Sequence, residues 1–336
     1  LEIERLFAYI GADTGKIGYI DASCKFAIAA QFDKALPFSE NAAAVYLGVW
    51  PNGKWGFINP EGSYIANPQF DDARGFSEGL APVKTGGIVS GRWGFIDPGG
   101  NIAIKPQYES ASSFSDGLAA VKTGGMLGGK WGFIDPAGTT VISARFDKVT
   151  VFREGLCAIK SGSFLGLWGF AGRSGDVAVK PAFDDVLDFS EGLAAVKSGG
   201  LLSGKWGFIK PSGENAIAAQ FDGALSFSEG LAPVKCGGII AGKWGFIDPA
   251  GKFAINPQFD DALGFSEGLA PVKVGDFWGY IDKNGDQKIA AGFVTAAGFR
   301  GGIARVGEAA GGLRKKYGYI DAKGDYILSP TEYLIE

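Results

Sequence analysis

The chain has 336 residues and a formal net charge of −4. That balance argues against nucleic acid or an acidic membrane surface as the main partner, and no apolar run is long enough to cross a bilayer by insertion. Histidine is absent, which removes Ser-His-Asp and Cys-His catalysis and histidine metal sites.

In chain order, the first apolar segment is Leu6-Phe7-Ala8-Tyr9-Ile10, followed by Ile17-Gly18-Tyr19-Ile20-Asp21. The second pattern then returns as a Trp-Gly pair at Trp55, Trp93, Trp131, Trp168, Trp206, Trp244 and Trp278, in steps of 38, 38, 37, 38, 38 and 34 residues, and once more as Tyr317-Gly318-Tyr319-Ile320-Asp321. A second landmark runs in phase, from Phe38-Ser39-Glu40 through Phe76-Ser77-Glu78-Gly79 to Phe265-Ser266-Glu267-Gly268, with a worn copy at Phe299-Arg300-Gly301-Gly302. Self-similarity at this period identifies a repeat array, whose units contact mainly their neighbours. The 55 glycines fall at fixed repeat positions and so mark turns. With 26 Phe and 8 Trp, each burying roughly 150–250 Å², an unstacked unit would expose a large sticky face.

Within one unit, Leu80-Ala81-Pro82-Val83-Lys84 alternates and reads as a strand. Thr85-Gly86-Gly87-Ile88-Val89-Ser90-Gly91 is a hairpin loop, and Arg92-Trp93-Gly94-Phe95-Ile96-Asp97 a second strand. The glycine beside each Trp leaves a notch for a neighbouring ring or backbone. Asp97-Pro98-Gly99-Gly100 is a turn, and Ile102-Ala103-Ile104-Lys105 a third strand. The next piece, in the form Phe259-Asp260-Asp261-Ala262-Leu263-Gly264-Phe265, has an apolar spacing of three that predicts one helical or 3₁₀ turn or an irregular connection. Length variation is concentrated in the hairpin loop, at Val274 to Phe277 and at Ala309 to Lys316, which marks it as exposed and tolerant.

The expected fold is therefore an all-β tandem-repeat array of short antiparallel β-meanders, one domain over 1–336, with eight whole units of about 38 residues and complementary half-units at the two termini. An open, curved, solenoid-like stack is favoured over a closed propeller-like ring, because three strands per unit fall short of the four of a propeller blade. The chain opens on Leu1 without Met, so it reads as a mature or trimmed form. No signal peptide is visible. The cysteines Cys24, Cys157 and Cys236 sit at different repeat positions and lack metal spacing.

The two motifs, Lys/Arg-Trp-Gly-Phe-Ile-Asp-Pro-x-Gly and Phe-Ser-Glu-Gly-Leu-Ala-x-Val-Lys, resemble the bacterial WG-repeat family, also called KWG repeats, over about residues 6–330. The resemblance implies a mainly β scaffold with no common catalytic activity and no shared active site. Departures at Ile17, Tyr317, Ala171-Gly172-Arg173 and the worn eighth unit suggest end caps or local specialisation.

The acids Asp71, Glu78, Asp147, Glu154, Asp184, Glu191, Asp222, Glu229, Asp260 and Glu267 recur in nearly every unit. A glycosidase-like pair would need one unit to differ. No catalytic residue, cofactor or metal site is expected, and the chain is not expected to be an enzyme. The basic column Lys84, Lys122, Lys160, Lys197, Lys235 and Lys273 reads either as surface ion pairs with neighbouring acids or as a track for an acidic polymer, the first being favoured. The Trp column reads as core. Trp50 stands outside the repeat register, in Leu47-Gly48-Val49-Trp50-Pro51, either packed as a cap or exposed for a partner. The expected function is a non-enzymatic structural or interaction scaffold, for a protein partner or for itself. In the sharper form the tail of one molecule completes the head of the next by strand addition into a filament. The alternative is a module binding a polysaccharide or peptide along a repeat face.

Overall fold

The computed structural model describes residues 6–10, 15–21, 25–125, 128–162, 166–200, 203–310 and 315–331. Among them the strands form nine antiparallel sheets: a first with three strands and eight with four, each assembled from strands consecutive in the chain. The sheet opening at Asp72 shows the pattern. Its strands are Asp72–Ala73, Ala81–Thr85, Arg92–Ile96 and Ile102–Tyr108, side by side in chain order.

This corrects the sequence reading twice. The segment expected as a helical turn or irregular connection contains a short strand, because Asp72 and Ala73 pair with Lys84 and Val83. The unit thus has four strands, the count of a propeller blade, and the preference for an open stack loses the three-strand argument it rested on. The structural unit is also offset from the sequence unit: it opens at the Asp-Asp-Ala segment. At the ends, Phe7–Ile10 pairs with Ile17–Ile20, and Lys315–Asp321 pairs with both Ile303–Ala309 and Tyr326–Thr331. Each terminal strand is matched by its own chain neighbour, and the last sheet is filled by four consecutive strands.

The short strand hairpins into the next through Ser77-Glu78-Gly79-Leu80. Glu78 and Gly79 have φ of 54° and 79°, and Ser77 and Leu80 bridge, the left-handed pair that matches strand twist in tight hairpins. The Trp-Gly glycine has a different reason. A Cβ on Gly94 would stand 2.4 Å from the Ile104 carbonyl oxygen and 2.6 Å from the Pro106 nitrogen. The notch therefore admits backbone, where the fourth strand bulges between its pairings to Trp93 and Phe95.

The chain divides into two compact units after Phe152, with Arg173–Gly175 belonging to the first. In each, the core lies between successive sheets. In the first unit Phe95 and Ile104 of one sheet pack with Phe114 and Val121 of the next; in the second, Phe208 and Ile217 pack with Phe227 and Val234. Phe95–Phe114 and Phe208–Phe227 ring centroids both stand 5.0 Å apart. The tryptophans lie at the margin: Trp93 is buried, while Trp55, Trp131, Trp168, Trp206, Trp244 and Trp278 are half-buried. The fully buried column is the Phe of Trp-Gly-Phe.

Candidate functional site

Within each unit two kinds of latch join neighbouring sheets, one at either end, and they use most of the polar repeat positions. At the Ser-Glu-Gly end, Ser77 Oγ donates to the Phe114 carbonyl oxygen at 2.7 Å, as Ser39 does to Phe76 and Ser190 to Phe227. The glutamate carboxylate accepts from the following turn: Glu154 from the amides of Glu191 and Gly192, and Glu267 from those of Gly301 and Gly302. At the hairpin-loop end, the lysine preceding Trp pairs with the aspartate opening the next sheet: Lys16–Asp33, Lys54–Asp71, Lys130–Asp147, Lys205–Asp222 and Lys243–Asp260. The same aspartate accepts a loop amide, as Asp71 does from Gly87 at 2.7 Å and Asp222 from Gly238 at 2.8 Å. Lys205 and the Gly238 amide hold the Asp222 carboxyl below the usual carboxylate range. At Asp71 burial pushes the other way, but Lys54 and Gly87 outweigh it and the net shift is downward.

Leu167 and Phe277 stand in place of the lysine before Trp168 and Trp278, and a further junction departs in both partners. Arg92 replaces the lysine and turns its guanidinium to the Ser90 carbonyl. Glu109 replaces the aspartate; Oε1 accepts the Gly125 amide, and Oε2 is buried with no partner.

The other lysine column lies on the strand that faces the Trp-Gly strand. Lys84, Lys122, Lys160, Lys197, Lys235 and Lys273 are half-buried, each facing a tryptophan across the hairpin, as in Lys84↔Trp93 and Lys235↔Trp244. Lys84 donates to the Ile88 carbonyl and Lys235 to that of Ile239, within their own loops. Lys160 stands 5.6 Å from the Trp168 ring centroid. The acids that form the repeated ion pairs are held by the column before Trp, which the sequence reading did not single out; its spacing of 17 residues to the aspartate was the available signal.

Against this regular background one place in the first unit is different. Tyr46 stands where six other repeats carry lysine, and Trp50 where the next repeat carries Ile88. Together with Lys34, Trp55, Asp72 and Lys84 they line a cavity of about 220 Å³. The Tyr46 and Trp55 ring centroids are 5.4 Å apart, and the Lys34 ammonium lies 5.4 Å from the Tyr46 centroid. Tyr46 is 4% exposed, and its hydroxyl is buried without a hydrogen-bond partner. Trp50 is 68% exposed. Gly53 makes this packing feasible, since a Cβ there would meet the Tyr46 ring at 2.4 Å. A second cavity, about 250 Å³ in the second unit, is walled by Phe259, Val272, Ile281 and Gln287 and carries no ionisable side chain. Among the described residues no group of His, Cys, Asp or Glu could hold a metal ion, and no helix is long and apolar enough to cross a membrane.

The hairpin loops themselves end in apolar side chains. Val89 is 75% exposed and Ile240 97%, with Val49 and Ile239 also exposed. The sequence repeats such pairs at Met126-Leu127, Phe164-Leu165 and Leu201-Leu202, which lie outside the described residues.

The description "WG containing repeat" matches residues 17–48, 55–87, 93–126, 131–163, 168–201, 206–238, 244–276 and 278–308. The chain belongs to the WG-repeat family. Eight matched segments cover most of its length and coincide with the Trp-Gly periodicity. No curated protein matches this WG-repeat chain. Among solved structures it is similar to a eukaryotic initiation factor, at 11% identity and a TM-score of 0.68, over 99% of this chain and 98% of the other; at that identity the likeness is one of fold. It is also similar to puromycin hydrolase (13% identity, TM-score 0.44, 93% of this chain and 56% of the other). Prolyl oligopeptidase B from Galerina marginata gives 8% identity and a TM-score of 0.49 over 91% and 51%. The WG-repeat chain spans about half the length of these last two.

Proposed function

We propose that this WG-repeat chain is a non-enzymatic interaction scaffold that engages a protein partner through the apolar tips of its hairpin loops. The observation that carries the reading is the exposure of Val89 and Ile240 at loop ends. A loop tip gains nothing for its own sheet by presenting such side chains to water, and recurrent exposed apolar groups mark interaction sites. The non-enzymatic part is supported by the use of the recurrent acids. Asp71 and Asp222 hold a lysine and a loop amide, and Glu154 and Glu267 hold the next turn, which leaves them no free carboxylate to act as acid or base. Head-to-tail assembly by strand addition is the weaker reading, because four consecutive strands already fill the last sheet. The glycan-binding alternative draws on a different observation, the Trp50 cavity.

A photo-cross-linking residue placed singly at 89, at 240 and, as control, at 250 in the opposite turn tests the reading in extract of the native host. Cross-links to a defined partner at 89 or 240, and none at 250, are expected. Equal yields at all three positions, or cross-links only at 250, overturn it. Sedimentation of the purified chain separates self-association from a second protein.

A further inference from the structure

We propose that the cavity walled by Tyr46, Trp50 and Trp55 binds one anionic sugar ring, of the uronic-acid type, as a terminal or internal residue of a saccharide. This goes beyond a protein-binding role for the loop tips and uses other atoms. At about 220 Å³ the cavity is smaller than the ~300–1,000 Å³ typical of sites for drug-sized ligands, and it suits a single ring. Its aromatic walls offer flat apolar faces to the C–H faces of a pyranose. Trp50 does so from an exposed position that no neighbouring sheet requires.

The polar groups fix the chemistry further. The Tyr46 hydroxyl is buried and unpartnered. Closed off from solvent, it offers nothing to a ligand, and recognition falls to the charged groups that line the cavity. Asp71 is neutralised by Lys54, so the charges left facing the cavity are the Lys34 and Lys84 ammoniums and the Asp72 carboxylate. Asp72 already accepts the Ala73 amide at 2.9 Å. The Lys84 ammonium donates to the Ile88 carbonyl and retains two further donors, while Lys34 lies over the Tyr46 ring. Two cations against one anion favour a ligand carrying a carboxylate over a neutral sugar. The combination does not recur: six other repeats place lysine at the Tyr46 position and the last places Gly307 there.

Binding to the full chain is read by saturation-transfer NMR and titration with D-glucuronate, D-glucose and benzoate. The variants are Trp50→Ala, which removes the exposed aromatic wall, and Lys34→Met, with thermal melts to establish that both remain folded. Glucuronate is expected to bind at least about tenfold more tightly than glucose, and Trp50→Ala to weaken both by about three- to tenfold. Lys34→Met should weaken glucuronate and leave glucose unchanged. Equal affinity for glucose and glucuronate, an unchanged affinity in Trp50→Ala, preference for benzoate, or no binding of any probe overturns the assignment. None of these results alters the cross-linking pattern expected at 89 and 240, so the two readings fail separately.

Discussion

The carboxylate of Glu40 accepts a hydrogen bond from the amide of Gly79 at 2.8 Å, across 39 residues of chain. Its other oxygen takes the Glu78 amide at 2.6 Å, so one side chain closes both exposed donors of the next hairpin turn. The same bond recurs from Glu191 to Gly230. Replacing Glu191 by Ala should lower stability by about 1 kcal/mol, the usual net worth of such a bond, and Glu191→Gln, which keeps an acceptor, by less. Thermal melts of the two variants check this; equal losses would mean that the acceptor is not what matters.

The Arg92–Glu109 junction offers a test of opposite sign. Glu109 Oε2 is buried and unpaired while Arg92 points to its own loop. Restoring the common pair with Arg92→Lys and Glu109→Asp together should raise the melting temperature, by relieving a buried acceptor and adding the ion pair present at Lys54–Asp71. A gain of about 1 kcal/mol is expected. The double variant must exceed the sum of the singles if the two side chains act as a latch.

Two glycines separate two kinds of constraint. Gly94→Ala drives a Cβ onto backbone 2.4 Å away, and chemical denaturation should register a loss of about 3 kcal/mol or more, as for other overpacked sites. Gly79→Ala meets open space but holds φ of 79°, for which the cost is about 1–2 kcal/mol. The reverse order would place the origin of the Trp-Gly pair in conformation and not in close approach.

Among the aromatics, Phe208 is fully buried and Trp50 is 68% exposed. Phe208→Ala should cost about 3–5 kcal/mol, half-buried Trp206→Ala less than that, and Trp50→Ala under about 0.5 kcal/mol, as for surface positions. Equilibrium unfolding of the three variants ranks them.

Acid should act through the loop-end latches. The Asp222 carboxyl is lowered by Lys205 and the Gly238 amide, so its folded pKa lies below the unfolded value of about 3.9. Its stabilisation is then present above that value and is lost as pH falls through the folded pKa. Asp222→Asn should therefore lower the melting temperature at pH 7, and the gap to wild type should close toward pH 3. An undiminished gap at low pH would exclude this linkage.

Much of this was written in the repeat. The Trp-Gly-Phe strand, the Asp-Pro-x-Gly turn and the Leu-Ala-x-Val-Lys strand follow from alternation and turn chemistry at Lys84, Trp93 and Gly100, and the structure has them in those places. The strand Asp72–Ala73 was not legible, because two residues carry no period and its pairing comes from across the Ser-Glu-Gly hairpin. The glutamate and serine latches escaped for a related reason: their partners are backbone amides and carbonyls of the next unit, which have no residue identity to read. At the candidate cavity, Trp50 announced itself by falling out of register. Tyr46 did not, since a tyrosine on a strand is unremarkable until its hydroxyl is found buried alone.

The latches also bear on how such a chain changes over generations. Seven of the turns carry a carboxylate directed forward, and an amide pair is offered backward, as with Glu191 and Gly192 within a single turn. Copying or excising one whole unit of DNA therefore leaves every remaining seam with donor facing acceptor. The hairpin loop takes part in that seam mainly through a main-chain amide such as Gly87, so its side chains are free to drift. Length by duplication and novelty by loop substitution become independent routes of descent, and the Tyr46–Trp50 region marks where the second has been taken.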